Sequence, residues 1–88
     1  MIVQAKVIMY STRFCPYCMR ARKLLKNKNI KYEEIKLGLG SGKRQEMEQK
    51  SGRTSVPQIF INGQAIGGYD DMAQLNRDGK LDTLLEEY

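Results

Sequence analysis

The chain has 88 residues, 41% hydrophobic and 28% charged, and its 15 basic side chains against 10 acidic ones give a net charge of +5. That length excludes two bodies that each bury a core, so residues 1–88 are expected to form a single domain. The basic surplus is neither interleaved with aromatics nor carried on a recognition helix, so nucleic acid is not an expected partner.

The opening MIVQAKVIMYSTR has an apolar run far below the roughly 20 residues of a membrane span and lacks the pattern of a secretory leader. A soluble, cytoplasmic protein with no membrane partner is expected. Ala5–Tyr10 is rich in β-formers and predicts a first buried strand that stops at the polar run Ser11, Thr12 and Arg13. Cys15 then opens a helix, with Cys18, Ala21, Leu24 and Leu25 on one face and Arg20, Arg22, Lys23 and Lys26 on the other.

The alternation of Ile30 and Tyr32, with Ile35 and Leu37 beyond, predicts a second strand and so a βαβ unit. Gly38–Gly42 reads as a loop. GLGSGKR is not a phosphate loop, because Leu37 and Arg44 stand where that motif needs glycine and a hydroxyl residue. A short polar helix is expected from Lys43 to Lys50, stopping before Gly52.

Gln58–Ile61 predicts a third strand, Asn62-Gly63 a two-residue hairpin turn, and Gln64–Ile66 a fourth, antiparallel strand. Gly67-Gly68 breaks it. Asp70 or Asp71 is expected to cap a helix to about Arg77, and Leu81–Glu87 to form a last helix with Leu81, Leu84 and Leu85 inward. The sum is an α/β fold: a four-stranded mixed sheet flanked by helices, in the order βαβ-α-ββ-α.

Both cysteines of the chain lie in Phe14-Cys15-Pro16-Tyr17-Cys18. A disulfide closing so short a loop would constrain the unfolded chain little, and a reducing compartment disfavours it. Tetrahedral zinc wants four ligands, and two cysteines without a histidine do not supply them, so no metal is expected. A redox couple fits better. The first turn of a helix has unpaired N–H groups and the positive end of its dipole, which stabilise a thiolate at Cys15. Cys18, one turn on, is within disulfide reach yet nearer the core, and Pro16 suits the first helical position. Thiol-disulfide exchange asks for this asymmetry, an exposed attacker at Cys15 beside a protected resolver at Cys18.

CPYC after a strand, TSVPQIF in the second half and GGYDD before the closing helices together resemble the dithiol glutaredoxins, in the same order over nearly the whole chain. The resemblance implies a thioredoxin-like fold, catalytic Cys15 and Cys18, and glutathione as co-substrate, with no permanently bound cofactor. It further implies a cis Pro57 facing the cysteines, with Val56 offering backbone bonds to the substrate's cysteinyl unit. Gly67-Gly68 permits close backbone approach and leads into a helix N-terminus, whose free amides favour a carboxylate. By similarity, the glutathione site comprises Gly68, the amides of Tyr69 and Asp70 for the γ-glutamyl carboxylate, the Asp71 side chain for its ammonium, and Tyr17 flanking the tripeptide. Many members carry a lysine three residues before the first cysteine. Here Thr12 stands there, and the neighbouring Arg13 takes over the charge.

The implied partners are glutathionylated or disulfide-containing proteins, with ribonucleotide reductase a candidate, served by a monomer. Two rival readings are a thioredoxin-like electron donor served by a flavoenzyme and a glutathione-ligated iron-sulfur carrier. GGYDD argues against the first and Pro16 against the second.

Overall fold

The computed structural model describes residues 5–38 and 42–86. Four strands, β1 (Val7–Ser11), β2 (Glu33–Lys36), β3 (Gln58–Ile61) and β4 (Gln64–Gly67), form one sheet in the order β2-β1-β3-β4. The β1–β2 pair is parallel and the other two are antiparallel. The helices are α1 (Pro16–Asn27), α2 (Lys43–Ser51), α3 (Tyr69–Arg77) and α4 (Leu81–Leu85).

Strand alternation sorts the side chains to two faces. Val7, Met9, Ile59 and Ile61 join Ala21 and Leu25 of α1, Met72 of α3 and Leu81 and Leu85 of α4 in the larger core cluster. On the opposite face Tyr10 and Phe60 pack with Met47 of α2, their rings edge to face at 5.6 Å. Helices thus cover both faces, and the two central strands are buried almost throughout. None of the helices among the described residues is long and apolar enough to cross a membrane.

The sequence-based boundaries hold for β3 and for the hairpin turn, where Asn62 (φ 52°) and Gly63 (φ 81°) both take the positive angles of a type I′ turn, while β4 runs one residue past its expected end, through Gly67, which pairs with Ile59. α2 runs one residue past the expected end, to a left-handed Gly52. Three expectations are corrected. β1 starts later and takes in Ser11, because that hydroxyl, though fully buried, donates to Glu34 and so does not interrupt the strand. β2 begins only at Glu33, because α1 ends in a Schellman motif. Asn29 (φ 58°) is left-handed there, its N–H reaching Lys26 O at 3.0 Å while that of Ile30 reaches Leu25 O at 3.0 Å. Ile30 and Tyr32 pack on the core from that connection instead. Third, neither aspartate is the N-cap of α3. Gly68 is, in extended conformation, and Asp71 acts from the third helical position by accepting the Gly68 N–H at 3.0 Å. The expected loop at Gly38–Gly42 lies partly outside the described residues, at 39–41, and α4 closes at Leu85 with Glu86 as its C-cap, short of the expected end at Glu87, which is itself outside the described residues.

Candidate active site

The C-terminal end of β1 delivers the chain to Cys15, the N-cap of α1, whose backbone is extended at φ −129° and ψ 109°. Pro16 follows at the first helical position, where its missing N–H leaves no bond unmade. The Cys15 carbonyl accepts the Met19 N–H at 3.0 Å, and its Sγ accepts the Cys18 N–H at 3.2 Å. Sulfur therefore does at this cap what a serine or aspartate oxygen does elsewhere.

The expected exposure of Cys15 is corrected: the residue is only 8% exposed. Its sulfur is turned inward by the cap bond and lies 3.8 Å from the Val56 carbonyl oxygen, to which the S–H donates. Cys18 is more deeply placed still, with no exposed surface. Burial pushes its thiol well above the ordinary range, as does its hydrogen bond with Cys15, while the Thr12 backbone pulls more weakly the other way. The two sulfurs are thus unequal in access and in environment.

Beside Cys15 the Val56–Pro57 bond is cis and Pro57 is buried at the entry to β3. The buried Gln58 secures that turn, its amide donating to the Ser55 carbonyl at 3.0 Å and to Ser55 Oγ at 3.3 Å. An open groove of about 320 Å³ runs from here to the start of α3, lined by Tyr17, Arg53, Ser55, Val56, Pro57, Gly68, Tyr69, Asp70 and Asp71. Gly68 sits tight against the proline loop, because a Cβ there would stand 3.3 Å from the Pro57 carbonyl oxygen. At the groove's far end Asp71 Oδ2 accepts both the Gly68 N–H and Arg53 Nη1, the latter at 2.7 Å. The Arg53 guanidinium, with the Gly68 amide, holds the Asp71 carboxyl below the usual range.

Seven of the eight residues expected to bind glutathione, namely Tyr17, Val56, Pro57, Gly68, Tyr69, Asp70 and Asp71, therefore share one groove. Arg13 does not line it. It stands exposed before Cys15, its guanidinium over the Phe14 ring at 5.9 Å from the centroid. Arg53 and Ser55 line the groove without having been anticipated. The available sign was a free acid at Asp71 wanting a counter-charge, and the fold alone shows that GRTS supplies it.

Behind the cysteines, Glu34 of β2 accepts from the Ser11 hydroxyl, from Arg22 Nε at 2.8 Å and from Arg22 Nη2 at 2.7 Å. This ties the end of β1, the second turn of α1 and the edge strand together one turn beyond Cys18. The Arg22 bonds, chiefly, hold the Glu34 carboxyl below its ordinary value.

This geometry has known counterparts. The glutaredoxin family model matches residues 7–66. Glutaredoxin 3 of Escherichia coli (strain K12) is 48% identical over 82 residues, which cover 93% of this chain and 99% of that one. A glutaredoxin of Pseudomonas aeruginosa is 46% identical over 79 residues, covering 90% and 94%. Among solved structures, the buckwheat glutaredoxin-glutathione complex superposes with a TM-score of 0.86 at 35% identity, covering 94% of this chain and 78% of that one. The solution structure of glutaredoxin from Brucella melitensis gives 0.82 at 43% identity, covering 94% and 90%. With Cys15 capping α1, Cys18 in its first turn and a mixed four-stranded sheet behind them, the chain belongs to the glutaredoxin family and is a thiol-disulfide oxidoreductase.

Proposed function

We propose that glutathione is the reductant, that Cys15 is the nucleophile and that Cys18 is held in reserve. The Cys15 thiolate attacks the glutathione sulfur of a glutathionylated protein. The protein sulfur leaves with the electron pair and takes up a proton, and Cys15 retains glutathione as a mixed disulfide. A second glutathione thiolate attacks the glutathione sulfur of that bond, oxidised glutathione departs, and the Cys15 thiolate is restored. With a protein disulfide, Cys15 attacks one sulfur and frees the other. Cys18 then attacks Cys15 Sγ and frees the second, and two glutathiones reduce the resulting Cys15–Cys18 bond.

The observation that carries this reading is the groove itself, which leads from the Val56 carbonyl beside Cys15 Sγ to the first amides of α3 and the Asp71 carboxylate. A γ-glutamyl end carries a carboxylate and an ammonium on one carbon. The amides of Tyr69 and Asp70 suit the first and Asp71 suits the second. Val56 offers its backbone to the cysteinyl unit beside Pro57, Gly68 lets the ligand approach closely, and Tyr17 covers one side. Arg53 is the cation in the groove's lining for a glutathione carboxylate, whereas Arg13, expected for the glycyl carboxylate, stands outside that lining. The complex of the buckwheat relative with glutathione supports the same ligand here. The substrates are glutathionylated or disulfide-containing proteins, ribonucleotide reductase among the candidates, met by a cytoplasmic monomer.

Turnover of a glutathionylated peptide, with glutathione supplied and glutathione reductase as the coupling enzyme, tests it. Cys18→Ser should retain this activity and lose reduction of a protein disulfide, whereas Cys15→Ser should lose both. Equal loss from the two variants, or coupling to thioredoxin reductase in place of glutathione, refutes it.

A further inference from the structure

Among the described residues, the large hydrophobic side chains that stand exposed are Phe14 (89%), Met19 (61%) and Tyr17 (49%), all within four positions of Cys15. Isolated exposed apolar groups are ordinary, but a cluster of three around a reactive sulfur marks a contact surface. Each aromatic carries an arginine: Arg13 lies over Phe14, and Arg20 lies over Tyr17 with its guanidinium carbon 5.3 Å from the ring centroid. Neither arginine pairs with a carboxylate among the described residues, and α1 contains no acidic residue. Tyr17 faces the groove, and beyond its lining Phe14, Met19 and Arg20 leave an apolar and basic rim, whereas the groove's far end carries Asp70 and Asp71.

Resting on the function proposed above, we infer that Phe14, Met19 and Arg20 form a docking rim for the protein half of the mixed disulfide. The rim selects segments that carry an apolar side chain and a carboxylate beside the oxidised cysteine. Glutathione occupies the groove, whose lining includes none of Phe14, Met19 and Arg20, so these exposed side chains around Cys15 are left to the polypeptide that shares its disulfide. The guanidinium of Arg20, with no carboxylate partner among the described residues, complements an acidic flank and opposes a basic one, which is specificity by attraction and repulsion together. A lipid surface brings no disulfide to the sulfur, and a second copy brings the same positive charges.

Two synthetic peptides, each glutathionylated at its one cysteine, provide the test: one places glutamate and leucine beside the cysteine, the other lysine and serine. The wild-type protein should show a kcat/KM about tenfold higher for the first at low salt, and the gap should narrow as salt screens exposed charges. The double variant Phe14→Ser with Met19→Ser, and separately Arg20→Glu, should shrink that gap. Turnover of the mixed disulfide between glutathione and free cysteine should stay unchanged. Equal turnover of the two peptides, with the small disulfide still reduced, overturns the docking rim and leaves the proposed function standing. Failure to reduce the small disulfide overturns the function itself. Binding to phosphatidylglycerol vesicles that the double serine variant abolishes, with no preference between peptides, reassigns the rim to lipid.

Discussion

Replacing Gly67 by alanine should damage both stability and the groove. Gly67 ends β4 at φ +116°, a backbone that residues with a Cβ rarely adopt. A Cβ there would stand 2.7 Å from Asp71 Cγ and 3.0 Å from Asp71 Cβ, and closer still to Oδ2. Asp71 is not free to yield, because Oδ2 is held by the Gly68 N–H at 3.0 Å and by Arg53 at 2.7 Å. The strained backbone costs about 1–2 kcal/mol, and loss of the cap bond adds about 1 kcal/mol. At roughly 4–8 °C per kcal/mol for a domain of this size, the Tm should fall by about 10–20 °C. Urea unfolding of Gly67→Ala, Asp71→Ala and the double variant separates the two terms. Asp71→Ala removes the obstacle, so the double variant should be more stable than the sum of the singles implies, by about 1 kcal/mol. A Gly67→Ala protein within about 0.5 kcal/mol of the parent, or strictly additive singles, would refute the close-approach argument.

The Glu34 network predicts a pH dependence. Its folded carboxyl binds a proton less readily than the ordinary value of 4.5, so its contribution is complete above that value and is lost as pH falls through the lower folded one. Glu34→Gln should cost about 1–3 kcal/mol at neutral pH and flatten the acid limb of urea midpoints against pH; an unchanged limb contradicts this. Tyr10, pushed up to about 12 by burial and by its bond to Glu46, should be the last tyrosine to ionise in ultraviolet titration. Stability should fall above pH 10 as the unfolded chain alone ionises there. Tyr10→Phe should remove that late phase, and its persistence would assign it elsewhere. The Arg53–Asp71 pair is exposed on both sides, so Arg53→Ala should cost under about 1 kcal/mol in denaturant while raising the KM for glutathione. The reverse pattern would make Arg53 structural.

Much of this was legible because local chemistry and tertiary structure agree. Asn62-Gly63 is a turn whatever surrounds it, and CPYC after a strand places a sulfur on a helix cap by spacing alone. Ser11 misled because a polar residue reads as a stop, and only its bond to Glu34, 23 positions away, lets the strand run on. Ile30 and Tyr32 alternate like a strand, but the left-handed Asn29 spends those residues on ending α1. Asp70 and Asp71 both suit a cap by type, whereas an extended Gly68 takes the cap and leaves Asp71 to bond back from inside the helix. Arg53 and Ser55 could not be found without knowing that the proline loop faces the start of α3. The inward turn of Cys15 was equally hidden, since its partner is a backbone carbonyl 41 residues on.

The proposed function requires two unequal sulfurs, with Cys15 the one that reacts. Sub-stoichiometric iodoacetamide applied to the reduced wild-type protein at neutral pH, followed by peptide mass mapping, reads this directly. Cys18 has no exposed surface and a thiol raised by burial, so the label should fall on Cys15 by a wide margin. Equal labelling of the two, or labelling first at Cys18, would contradict the account.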